Sequence, residues 1–337
     1  MASLRYETSA RSIMTFHLNH LKQLGNRVQV TIPKDEEGYL GRECPQPDCE
    51  GYFKIKPGTG LTGENLACHC PYCGHQDDPN DFFTTEQIEY AKSIVLRGVA
   101  EVIHKDLKKL EFDHKLQGGF GIGISLKVKA GAPLPIRHYR ERELETKITC
   151  ENCTLQYAVY GVFAYCPDCA AHNSLQILQM NLDLTRRQLD LAEQIDDAPL
   201  RQHLTEDALE NCVSAFDGFA REACRIRAHK STDPAKCAAL SFQNLPRAAK
   251  RLQDLFAVDL ASAFAPDIWS AAHIAFMQRH LLAHKAGVVD KPYLDETGAP
   301  AGLLGRRLSI DPAGVRRLAD AVMQVGRHLI SILPAVK

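Results

Sequence analysis

The stretch CENCTLQYAVYGVFAYCPDC, residues 150–169, sets two Cys-x-x-Cys knuckles on either side of twelve residues. The intervening residues are rich in Tyr, Val and Phe and carry one glycine, so they read as a hairpin strand pair. Two hairpin tips at this spacing can bring Cys150, Cys153, Cys166 and Cys169 to one tetrahedral Zn²⁺.

A second, looser group lies upstream. CPQPDC holds Cys44 and Cys49, and CHCPYCG holds Cys68, Cys70 and Cys73. Cys70 and Cys73 form a good knuckle, with Gly74 free to take positive φ just after it. Cys44 and Cys49 are separated by four residues, a spacing also used for zinc. The preferred ligand set is Cys44, Cys49, Cys70 and Cys73, with Cys68 as the spare thiol; Cys68, His69 or His75 in place of one of them stays open. Eight thiolates filling two sites leave no open coordination position. The expectation is two structural Zn²⁺ and no catalytic metal.

Redox setting supports this use of cysteine. The N-terminus, MASLRYETSARSIMTF, lacks the apolar core of a signal peptide. No run approaches 18 apolar residues, so no membrane partner is expected. A reducing, cytoplasmic location follows as an expectation, and twelve cysteines there point away from a disulfide framework. Forty Lys and Arg against forty-one Asp and Glu give a net charge of −1, so any nucleic-acid contact must come from local patches. Lys54, Lys56 and the run RHYRER (137–142) are candidate phosphate contacts on the ribbons. Solvated surface is the plainer reading of such charges.

The expected fold class is α+β and multidomain, with two small β zinc ribbons and a C-terminal all-α bundle. Residues 1–85 form an N-terminal segment with the first ribbon, including a short helix and a VQVTI strand (28–32). Residues 86–145 form a helix and β linker region. A Thr cap opens its helix, and Ile94, Val95, Val99, Val102, Ile103, Leu107 and Leu110 recur along it at helical spacing. Glycines 119, 121 and 123 read as a Gly-faced strand. Residues 146–175 hold the second ribbon, and 176–337 the helical domain. In the latter, one helix is expected to start at a Thr205 cap, with Leu209, Cys212, Val213, Phe216, Ala220 and Cys224 on one stripe. Others start at Asn244, Asp267 and Asp311, the Asp267 helix ending at Gly287. Cys212, Cys224 and Cys237 lack knuckle spacing and read as buried small hydrophobes.

The Asp267 helix contains Arg279, His280 and His284. At 100° per residue the two histidines stack on one face, while Arg279 lies about 140° from His284. One face cannot easily use both; two copies in a dimer could. On pattern alone, His284 continues the stripe Ile274, Met277, Leu281 and reads as a core histidine near a helix C-terminus.

This helical half, roughly 176–337, resembles the HEPN family (higher eukaryote and prokaryote nucleotide-binding domains). The resemblance rests on Arg279 followed by a polar residue and then His284 near the end of a long helix, the segment KAGVVDKPYL, the helix DALENCVSAFDGFARE and the final amphipathic helix. It implies a metal-independent endoribonuclease acting as a homodimer on RNA. The 2′-OH would attack the adjacent phosphate, leaving a 2′,3′-cyclic phosphate. His284 would then serve as general acid/base, Arg279 as phosphate ligand and His280 as an orienting or relay group. Glu210 and Asp217 are further candidates, with surface-facing acids as the plainer alternative. Basic residues Arg247, Lys250, Arg251, Arg306, Arg307, Arg316 and Arg317 could form an RNA track. The ribbons would sense or dock a nucleic-acid or protein trigger, as in a toxin or antiphage defence protein. The competing expectation is a non-catalytic nucleic-acid-binding or adaptor protein built from the same parts.

Overall fold

A computed structural model describes residues 28–63, 66–114, 124–144, 146–262 and 264–335. The expected N-terminal helix and glycines 119, 121 and 123 lie outside them. The chain is α+β and divides into two compact units, Met1–Ala171 and His172–Lys337.

The first unit is built on short antiparallel hairpins. Strands β1 (Leu40–Glu43) and β2 (Tyr52–Ile55) flank the first cysteine knuckle, and β3 (Cys68–His69) and β4 (Gln76–Asp77) the second. Helix α1 (Thr85–Lys108) follows, then the pair β5 (Phe112–His114) and β6 (Ile124–Leu126). Strands β7 (Thr146–Thr149) and β8 (Gln156–Val159) flank the third knuckle. Val28–Ile32 joins no strand; the run is short and ends at Pro33.

The two cysteine regions are not separate modules. Strands β2 and β8 pair, giving one sheet of order β1-β2-β8-β7. Lys54 lies opposite Ala158, and Ile55 opposite Tyr157. Each half then repeats the other. Leu40↔Ile55 and Glu43↔Tyr52 in one hairpin match Thr146↔Val159 and Thr149↔Gln156 in the other. The Lys54–Ala158 pair therefore sits on a local pseudo-twofold axis. Phe53 and Tyr157, equivalent under it, are both fully buried and share one core with thiols of both halves.

Helix α1 starts as its sequence requires. Thr84 caps it, and Gln87 completes the box by accepting from the Thr84 N–H. The buried Gln87 amide also donates to Gly41 O at 2.9 Å, which ties the helix to β1. Its expected apolar stripe packs only in part, with Ile94, Val95, Val99 and Val102 half-buried. Gln87, Ala91, Ser93 and Asp106 are buried, while Ile103, Leu107 and Leu110 stay exposed. Periodicity alone marks a face but not its partner.

The second unit is mostly helical: α2 (Ser174–Glu193), α3 (Ala198–Arg225), α4 (Pro234–Ala238), α5 (Leu245–Phe256), α6 (Pro266–Lys285), α7 (Lys291–Thr297) and α8 (Pro312–Ile332). The stripe Leu209–Cys224 is buried as expected and faces α2 and α8. Helix α3 begins seven residues before Thr205, because Asp197 caps it and Pro199 supplies a preset φ in the first turn. Thr205 is instead buried mid-helix, its hydroxyl donating to Arg201 O. Helix α6 begins at Pro266; Asp267 lies in its first turn and Ala265 at the cap makes no side-chain bond. It ends on two left-handed residues, Ala286 and Gly287. Phe216 meets Phe242 and Phe276 edge-on, each at 6.0 Å, joining α3, α6 and the segment before α5.

Candidate metal centres and a basic cleft

Within each cysteine group, four Sγ atoms lie within 4.8 Å of one another: Cys44, Cys49, Cys70 and Cys73, and Cys150, Cys153, Cys166 and Cys169. Cys44–Cys73 and Cys49–Cys70 are each 3.7 Å apart. Cys150–Cys169 is 3.7 Å and Cys153–Cys166 is 3.4 Å. Thiolates about 2.3 Å from a tetrahedral ion stand roughly 3.8 Å from each other. A disulfide would need about 2.05 Å. Both groups could therefore hold a metal ion.

The backbone is shaped for the same task at all four knuckles. The residue after each closing cysteine is left-handed: Glu50 (φ 44°), Gly74 (72°), Thr154 (66°) and Ala170 (58°). Three of these are not glycine, a cost of about 1–3 kcal/mol each that the surroundings must sustain. The turn closes alike each time, with Glu50, Gly74, Thr154 and Ala170 donating their N–H groups to Gln46, Cys70, Cys150 and Cys166 carbonyls at 2.9–3.0 Å. Tyr72 N–H points at Cys70 Sγ at 3.4 Å.

Burial pushes the Cys44 thiol up to about 12 and Cys153 up to about 11. At Cys73 burial acts the same way, but hydrogen bonds from the His75 N–H and neighbouring thiols outweigh it and bring the group down. Cys169 is lowered likewise, by the Asn152 side chain, the Ala171 N–H and the adjoining thiols. A bound cation would hold all four groups as thiolates.

The second knuckles of the two groups touch. His69 N–H donates to Pro167 O, and Tyr165 N–H to Pro71 O, each at 2.8 Å. Cys68 stands apart from both groups, buried in β3, with its thiol pushed up to about 12 by that burial. His69 contacts Pro167 O, and His75 contacts Gln46 and Asp77. The ligand alternatives left open by spacing are thus placed outside the thiol clusters. Lys54 is no phosphate contact either: it is buried against Asp35 at 2.8 Å. Arg137 and Arg142 pair with Glu89 and Glu86 of α1.

In the helical unit, a cleft of about 610 Å³ opens between α5, α6 and the start of α7, with Gln243, Arg247, Arg251, His273, His280 and Lys285 on its walls and Phe276 and Met277 among its apolar lining. Asp290 and Glu296 add negative charge, and His273 pairs with Glu296 at 3.2 Å. Arg279 donates to Gln243 Oε1 at 3.1 Å, and its Nε is buried without a partner. The His280 and His284 rings lie 4.8 Å apart. Both histidines are exposed. His284 is therefore not a core histidine; of its stripe Leu281 is buried, and Ile274 and Met277 are half-buried.

Of the two acids, Glu210 is half-buried on α3 and does not line the cleft. Asp217 is buried and structural: it accepts the Phe242 N–H at 2.5 Å. That bond anchors the segment carrying Gln243, a residue that no motif or spacing singles out. Three residues of the expected basic track are held in ion pairs. Arg307 pairs with Glu206, Arg316 with Asp190 and Glu193, and Arg317 with Asp311. Arg247 and Arg251 remain on the cleft. No helix of the described residues is long and apolar enough to cross a membrane. Comparison with protein-family models, curated proteins and solved structures returned no match.

Proposed function

We propose that the chain is a metal-independent endoribonuclease of HEPN type whose cysteine clusters each hold a structural Zn²⁺. The observation that carries this is Arg279, oriented by Gln243 one residue from the exposed His280–His284 pair, beside a cleft lined by Arg247, Arg251 and Lys285. Such cations suit a polyanion, and a guanidinium can take two phosphate oxygens at once. One imidazole accepts the proton of the RNA 2′-OH as its oxygen bonds to phosphorus. The P–O5′ bond breaks, and a protonated imidazole returns a proton to the 5′-oxygen. The products are a 2′,3′-cyclic phosphate and a 5′-OH.

His284 lies outside the cleft of a single chain, so the reading includes a homodimer in which a second copy completes the site. The zinc module docks or senses a trigger, which fits a toxin or defence role. The same placement of His284 favours one alternative, a dimerising nucleic-acid-binding protein without catalysis.

Total RNA incubated with zinc-loaded protein in excess EDTA tests the two. Cleavage leaving cyclic phosphate ends, reduced about 10²–10⁴-fold by His284→Ala, supports the enzyme. Binding of RNA without cleavage supports the alternative. Zinc content of each preparation shows whether the cysteine module stayed intact.

A further inference from the structure

We propose that His280 and His284 form a chelating site for a borderline transition-metal dication of the Ni²⁺, Cu²⁺ and Zn²⁺ class, and that metal bound there switches the ribonuclease off. The inhibition rests on the ribonuclease reading; the binding does not.

The histidines are four residues apart on α6, with His284 in its last turn. Their ring centroids are 4.8 Å apart with planes inclined at 52°. An imidazole nitrogen bound at about 2.0–2.1 Å puts its ring centroid roughly 3.2 Å from the metal. Two such ligands at 90–109° would place their centroids about 4.5–5.2 Å apart. The observed separation falls in that range without any change of backbone. Both side chains are exposed. Among the described residues neither ring has a hydrogen-bond or ion-pair partner, in contrast to His172, His203 and His273, which face Glu222, Asp207 and Glu296.

Imidazole is a strong ligand for this class of metal and a weak one for Mg²⁺ or Ca²⁺, so the selectivity follows from the donor. Water fills the remaining positions. Lys285 and the cleft arginines repel a dication, and Asp290 and Glu296 offset them in part. The site is therefore weaker than the cysteine clusters, and its affinity rises with ionic strength as the repulsion is screened. A nitrogen whose lone pair is bound to metal can neither take the 2′-OH proton nor return it to the leaving oxygen.

The test is titration of the full chain, loaded to two zinc ions and freed of excess metal, with Ni²⁺ by calorimetry, with zinc content measured afterwards. The expected result is one Ni²⁺ per chain beyond the retained zinc, weakened about tenfold or more by His280→Ala and by His284→Ala. His203→Ala, on an exposed part of α3, leaves it unchanged. No such binding, or binding indifferent to both substitutions, overturns the proposal. Binding by a chain that never cleaves RNA leaves the site standing and removes the ribonuclease reading; cleavage without Ni²⁺ binding does the reverse.

Discussion

Individual side chains separate two kinds of cysteine in this chain. Cys44 points into a cluster of four thiols, whereas Cys68, two residues before Cys70, is buried in a strand and joins no cluster. Cys68→Ser should leave two zinc ions per chain by elemental analysis, and Cys44→Ser fewer than two. Knuckle spacing is local and so favoured this division, but it left Cys68, His69 and His75 open as substitutes. The role of Asp217 was not legible in the sequence, since its partner, the Phe242 N–H, lies on another element. Glu222 gives a residue-scale pH dependence. Burial raises this carboxyl, but hydrogen bonds from Arg225 at 2.6 and 2.7 Å and an ion pair with His172 at 3.2 Å bring it down to about 2 from an ordinary 4.5. Its stabilisation is full above the ordinary value and is lost as pH falls from there toward 2. The effect is at most about 3 kcal/mol, less because Arg225 is exposed to screening. Trp269, the sole tryptophan, packs against the helical core and reports on that unit alone. Urea unfolding followed by its fluorescence should weaken over this window, and Glu222→Gln should flatten the response.

Among elements, the polar caps at Asn244 and Asp311 were readable, whereas the start at Ala265, which has no side-chain cap, was not. Asn244 and Asp311 accept the expected N–H groups, from Arg247 and from Ala313 and Gly314. The true start of α3 at Asp197 and Pro199 was masked by the equally cap-like Thr205. Helix α1 shows a different limit. Its stripe is a property of the sequence, but which face packs depends on Gly41 and Glu141, far away in the chain, which bind Gln87. Helix α8 depends on one close approach. A Cβ on Gly326 would meet Leu178 Cδ2 at 2.8 Å and Phe219 Cε1 at 3.1 Å. Gly326→Ala gains about 1 kcal/mol of helix propensity but overpacks a buried contact, typically costing 1–3 kcal/mol. The net expectation is a loss of about 1 kcal/mol in the Trp269 transition; a gain would mean that Leu178 and Phe219 yield freely.

Over the whole chain, the α+β class and the two cysteine groups followed from composition and spacing. The fusion of both groups into one pseudo-twofold sheet did not. It depends on backbone pairing between β2 and β8, with partners such as Lys54 and Ala158 about a hundred residues apart and no side-chain pattern to announce it. The catalytic proposal belongs to this scale too, because Arg279 and His284 diverge on one helix and a shared site needs two copies. RNA cleavage by Arg279→Ala and His284→Ala, each alone and after mixing with exchange of subunits, tests it most directly. The expected result is cleavage by the unsubstituted protein, near-complete loss in each variant alone, and recovery of about a quarter of the original rate on mixing. Half of the dimers would then be mixed, with one of their two composite sites intact. No cleavage by the unsubstituted protein, undiminished cleavage by either variant, or no recovery from variants shown to exchange would contradict it.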